Sequence, residues 1–140
     1  MKNFRDPTDA EVRKDFPGGW ADDVQNKFSQ SGRTQQENDA YNFVKTLAKF
    51  RLHSSALQTG KFMQYLPVDG MYIYFRYDDN QTVMCVVNTS DKEQAVNFSN
   101  YAERTTGFSS AVNVFDNTSS ATTASVNIRA HGCLVLDLKK

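Results

Sequence analysis

The spacing of apolar residues changes once along the chain, and the change divides it. Between residues 34 and 52 apolar positions recur at three and four: Ala40, Val44, Leu47 and Ala48, with Tyr41, Phe43 and Phe50 widening the stripe. That period belongs to an amphipathic helix with a broad apolar face. Thr34 and Glu37 stand at capping-box spacing at its start, and the pattern stops near His53–Ser54.

From Gly60 onward the period is two. The stretches KFMQYLP, MYIYFRY, TVMCVVN, QAVNF, AVNVF, SVNI and GCLVLDL read as short strands, and DNTSSATTA reads as a polar loop. Asp69–Gly70 is a two-residue hairpin signal between the first two strands. No helix is expected between strands, and NYAERTTGFSS is taken as a long connection. About seven to eight short strands at regular spacing predict a mainly β fold, an antiparallel Greek-key sandwich. One amphipathic helix and an irregular N-terminal segment precede it.

TVMCVVN departs from strict alternation. Val83, Cys85 and Val87 are apolar, and so are Met84 and Val86. A strand with one wet face alternates, so both faces of this one should be covered. The helix stripe is the lid the pattern offers, with Leu47 as its expected core residue; a second copy of the chain is the other cover, and hence a homodimer the other partner.

Residues 1–33 are polar and irregular. Thr8 and Glu11 suggest one short helical turn. DFPGGW follows, joining a fixed-φ proline to two permissive glycines between Phe16 and Trp20, the lone tryptophan.

Composition removes several function classes. The 140 residues suffice for one core, and 16 Lys and Arg balance 16 Asp and Glu. With no basic excess, nucleic acid and an electrostatic membrane dock are not expected partners. No run approaches a membrane span of about 20 apolar residues, and no signal-peptide core opens the chain. His53 and His131 lie far apart without Cys or carboxylate at ligand spacing, so neither a metal site nor a cofactor is expected. Cys85 and Cys133 sit in apolar runs and read as buried free thiols; a disulfide requires their strands to be neighbours.

VRKDFPGGW, GRTQQENDAYNFVKTLAKFR, GKFMQYLPVDGMYIYFRY and VMCVVNTSDKEQAV together resemble the C-terminal end of a neopullulanase or cyclomaltodextrinase, enzymes of the α-amylase clan of glycoside hydrolases. The resemblance implies that residues 1–53 are the end of a TIM barrel, its eighth-strand loop and last helix, and that residues 54–140 are the C-terminal β-sandwich. It implies a catalytic barrel as partner, an α-glucan as the parent's substrate, and a bacterial cytoplasmic or periplasmic setting. The family's three catalytic carboxylates map to no position here, and such a barrel alone needs about 250 residues. Asp22–Asp23, Asp78–Asp79 and Glu37 read as solvated or capping groups, so no catalytic residue is assigned. Phe16 and Trp20 are the candidate substrate-binding residues, as ring platforms beside a sugar; the other reading is that DFPGGW only folds its loop onto the barrel rim.

Two functions follow as expectations: a non-catalytic part of an α-glucan-hydrolysing glycosidase that supports the barrel, or a carbohydrate-binding module using Tyr65, Tyr72, Tyr74, Tyr77 and Tyr101. The exposure of the Tyr72/Tyr74 face discriminates between them.

Overall fold

The computed structural model describes residue 13 and residues 15–140; the turn expected around Thr8 and Glu11 lies outside them. Two compact units are present, the first ending at Asn42 and the second running Phe43–Lys140.

A 3-10 turn, Gln30–Gly32, leads to helix α1, Gln35–Leu52. The capping box forms as the sequence requires. Thr34 N–H donates to Glu37 Oε2 at 2.7 Å, and Glu37 N–H donates to Thr34 Oγ1 at 3.3 Å.

A second helix, α2 (Ser55–Gln58), follows at once, beyond the point where the helical spacing stops. Its N-cap Ser54 accepts from Leu57 N–H at 3.2 Å. Eight strands come next: β1 Lys61–Gln64, β2 Met71–Tyr77, β3 Thr82–Asn88, β4 Gln94–Asn97, β5 Ser110–Asn113, β6 Ser119–Ala121, β7 Ser125–Ile128 and β8 Cys133–Lys139. The order β1-β2-β3-β8-β5-β6 makes one antiparallel sheet, and β4 pairs with β7 in a second. Asp69 (φ 51°) and Gly70 (φ 78°) form the two-residue hairpin, closed by reciprocal hydrogen bonds between Val68 and Met71.

Two expectations need correction. β6 lies inside the stretch assigned to a polar loop; its residues Ser119–Ala121 bury little, so backbone pairing with β5 rather than apolar period defines it. The connection after β4 holds a 3-10 turn, Phe98–Tyr101, and helix α3, Ala102–Thr105, so a helical segment does stand between strands. Thr105 Oγ1 binds the Phe98 and Tyr101 carbonyls and folds that segment onto the fully buried Phe98 ring.

β3 is covered on both faces. Met84 and Val86 point into the sandwich core with Ile73, Phe75, Val96, Phe98, Ile128 and Leu136. Val83 and Cys85 point the other way, under a lid made of Ala56, Leu57 and Phe50. The stripe of α1 thus supplies Phe50 to this lid, but not Leu47. No residue of α1 is fully buried, and Leu47 is only half-buried. Ala56, fully buried, takes the central place, because α2 packs closest to the sheet. Gly60, just after α2, permits this approach: a Cβ there would lie 2.4 Å from the Ala56 carbonyl oxygen and 2.7 Å from that of Tyr77.

The cysteines are free. Their strands are neighbours, but Cys85 pairs with Val135 and Cys133 with Val87. They are diagonal rather than opposite, and diagonal Cα atoms lie about 7–8 Å apart, at or beyond disulfide reach.

Candidate functional site

The first unit builds its loop around one carboxylate. Asp23 Oδ2 accepts from Gly18 N–H at 2.6 Å and Trp20 N–H at 3.1 Å, and Lys27 N–H donates to the Pro17 carbonyl at 2.9 Å. Those N–H groups, Gly18 first and then Trp20, hold the Asp23 carboxyl below the usual carboxylate range. Gly18 adopts φ 109°, and a Cβ there would approach Asn26 Cα to 2.8 Å, so the first glycine of PGGW is required by conformation and by space.

Arg33 anchors the far end of the loop. Its Nη1 donates to the Lys27 and Phe28 carbonyls at 2.9 and 3.1 Å, and its Nε donates to Asn38 Oδ1 at 2.8 Å. The guanidinium lies 4.1 Å from the centre of the Tyr41 ring. Lys27 Nζ meets Glu37 Oε2 at 2.6 Å, and this contact leads the causes that lower the Glu37 pKa.

These contacts line an open, largely apolar cleft of about 600 Å³ between the loop and the first turns of α1. Phe16 forms part of its wall, edge-on to Phe28 at 4.8 Å between ring centres. Trp20 is not in that wall and stands 66% exposed; Phe16 is 58% exposed. The two sequence candidates therefore share a loop but not a pocket. Of the residues that organise the site, the sequence points to Asp23 only as a solvated or capping neighbour of Asp22, and to Phe28 and Arg33 in no such role. The GRT-x-x-E string marked the helix start but not the role of Arg33 in it.

The carboxylates here are structural acceptors. A glycosidase acid needs its pKa raised so that it holds a proton to give. Asp23 and Glu37 shift downward, toward permanent charge. Asp78 likewise turns the chain by accepting from Asn80 and Gln81 N–H at 2.8 Å each. Among the described residues no group of three or more His, Cys, Asp or Glu is placed to hold a metal ion, and no helix is long and apolar enough to cross a membrane.

The five tyrosines grouped by the sequence reading separate into three places. Tyr72 and Tyr74 lie on the outer face of the large sheet, half-buried, with Phe62 5.6 Å from Tyr74. Tyr72 Oη donates to Gln64 Oε1 at 2.5 Å, and burial raises the Tyr74 pKa. That face is neither fully open nor sealed. Tyr77 lies beneath the Arg104 guanidinium at 3.9 Å. Tyr65 and Tyr101 meet edge-on at 4.9 Å on the inner side of the sandwich.

A family profile described as the cyclo-malto-dextrinase C-terminal domain matches residues 62–137. Among solved structures, AmyP in complex with maltose superposes with a TM-score of 0.66 at 15% identity, covering 74% of this chain and 21% of that one. An α-amylase from Geobacillus thermoleovorans complexed with acarbose gives 0.63 at 16% identity, covering 77% and 24%. Trehalulose synthase MutB gives 0.57 at 22% identity, covering 71% and 18%. The chain thus spans about a fifth of the length of these proteins, and at such identities the likeness is one of fold. The profile match covers more than half of the sequence, and with the eight-strand sandwich it establishes that the chain belongs to the cyclo-malto-dextrinase C-terminal domain family.

Proposed function

We propose that this chain is the non-catalytic C-terminal part of an α-glucan-hydrolysing glycosidase of the neopullulanase or cyclomaltodextrinase type, acting on α-1,4-glucans through a catalytic barrel that this part supports. Residues 1–53 are then the end of the barrel and residues 54–140 the supporting sandwich. In this reading Phe16 and Trp20 sit on the barrel's substrate-side rim, where strand-to-helix loops gather.

One observation carries the reading. Helix α1 has 18 residues and buries none of them fully, while Tyr41, Phe43, Val44 and Leu52 stand 43–68% exposed. Tyr41 lies under the Arg33 guanidinium and Phe43 stacks on Phe115 at 4.8 Å, but Val44 and Leu52 stay 63% and 68% exposed. A helix with such apolar exposure is shaped to pack against more protein than it meets here.

The experiment joins the chain to a cyclomaltodextrinase-type barrel deprived of its own C-terminal domain. The fusion is expected to be soluble and to release reducing sugar from maltooligosaccharides, whereas the chain alone releases none. Hydrolysis by the chain alone, or a barrel equally stable and active without it, overturns the reading.

A further inference from the structure

The six-stranded sheet is roofed by a sheet of only two strands, β4 and β7. Between β2 and β4 the inner side opens as a groove of about 580 Å³, a size suited to a small ligand. Met71 and the buried Ile73 form its apolar floor; Tyr65 and Tyr101 stand over it. Its polar rim consists of Asp69, Gln94 and Asn100. Gln94 Nε2 donates to the Asp69 carbonyl at 2.9 Å and ties the two sides of the rim together.

The lining selects a class of ligand. Asp69 is the one formally charged residue in it, and the Tyr65 hydroxyl donates to the neighbouring Glu103 carboxylate at 3.2 Å. The charge at the groove is therefore acidic, which disfavours phosphates and acidic peptides. Aromatic and apolar surface alternates with amide and hydroxyl groups. A pyranose has the same duality, with C–H faces for the rings and hydroxyl edges for the polar groups. The Asn100 amide and the Tyr101 hydroxyl are engaged by no other described side chain and stand ready as donors and acceptors. A peptide added along β4 would find only four residues to pair with, too short a template for stable strand addition.

We propose that this groove is a non-catalytic binding site for a short α-1,4-linked glucan, held by Tyr65, Tyr101 and Asn100. The choice of α-glucan over other neutral sugars rests on the parent reading above; the groove's suitability for a neutral sugar does not. Such a site tethers a polymer to the supporting domain while the chemistry occurs elsewhere.

The test is a titration of the isotopically labelled 140-residue chain with maltoheptaose, and separately with cellohexaose, followed by amide and side-chain NMR shifts. Maltoheptaose is expected to shift Tyr65, Gln94, Asn100 and Tyr101. Asn100→Ala, at an exposed position, is expected to weaken binding about three- to tenfold. Ala95→Arg, exposed on β4 and lining the groove, is expected to abolish it, with the spectrum elsewhere unchanged. No shift with either sugar, or shifts confined to the Phe16–Phe28 loop, overturns the groove and leaves the barrel-supporting role standing. Binding of cellohexaose without maltoheptaose overturns the α-glucan assignment of the groove, while the parent reading stands or falls by the fusion.

Discussion

The Ser54 hydroxyl donates to Gln81 Oε1 at 2.7 Å, across 27 residues of sequence. The same glutamine donates through Nε2 to Asp137 Oδ1 at 3.1 Å, and Lys139 Nζ closes on Asp137 Oδ2 at 2.5 Å. Ser54 is fully buried and also caps α2. One hydroxyl thus links the break between α1 and α2 to β3 and β8. Ser54→Ala is expected to lose a cap and leave Gln81 short of a partner, costing about 1–3 kcal/mol. Urea unfolding followed by circular dichroism measures it. A midpoint unchanged in Ser54→Ala shows that the link contributes nothing.

The identity of the lid gives a second prediction. Ala56 is enclosed against Val83 and Cys85, whereas Leu47 is half-buried. Ala56→Leu is expected to overpack the site at a cost of about 1–3 kcal/mol. Leu47→Ala should cost less than Ala56→Leu, well short of the roughly 2–5 kcal/mol of a core leucine. Thermal midpoints of the two variants compare them directly, and the reverse ranking makes Leu47 of α1 the central lid residue in place of Ala56.

Asp23 makes the loop pH-dependent. Its folded pKa is lowered, so the charged form favours the closed loop. That contribution is complete above the ordinary carboxylate range and is lost as pH falls through the lowered value. Trp20, the lone tryptophan, reports on it. Its fluorescence should stay constant from neutral pH down to about pH 4 and change below. In Asp23→Ala the changed spectrum should already be present at neutral pH. A wild-type transition centred above pH 5 would contradict the lowered pKa.

Thiol chemistry checks the strand register. Burial raises the pKa of both Cys85 and Cys133, and Cys85 is the more deeply enclosed. In the native protein Cys133 should react slowly with a thiol reagent near neutral pH and Cys85 not at all. Both should react in denaturant without prior reduction. Recovery of an oxidised pair would require the two strands to slip from their diagonal register.

Much of this architecture is written in local patterns. The capping box at Thr34 and Glu37, the Asp69–Gly70 hairpin and the doubly covered β3 each depend on residues close in sequence or on one strand's own composition. What escaped depends on distant partners. Ser119–Ala121 becomes a strand because β5 presents an edge to it. α2 was missed because four residues carry no period, and its lid role comes from Gly60 allowing close approach. At the loop, Phe16 and Trp20 were visible as rings beside glycines. The roles of Asp23 and Arg33 were not, because they lie in which backbone groups the two side chains reach.

The position of β8 between β3 and β5 has a consequence for synthesis. β3 emerges from the ribosome with apolar side chains on both faces, yet its second neighbour in the sheet, β8, is made only after β4 to β7. Until Cys133–Lys139 arrives, β3 offers an unpaired, adhesive edge. Closure of the large sheet is therefore a late event that joins residues far apart in sequence, which makes it slow. The nascent chain should depend on chaperone shielding in that interval, and substitutions in β8 should lower soluble yield more than equally destabilising ones in α1.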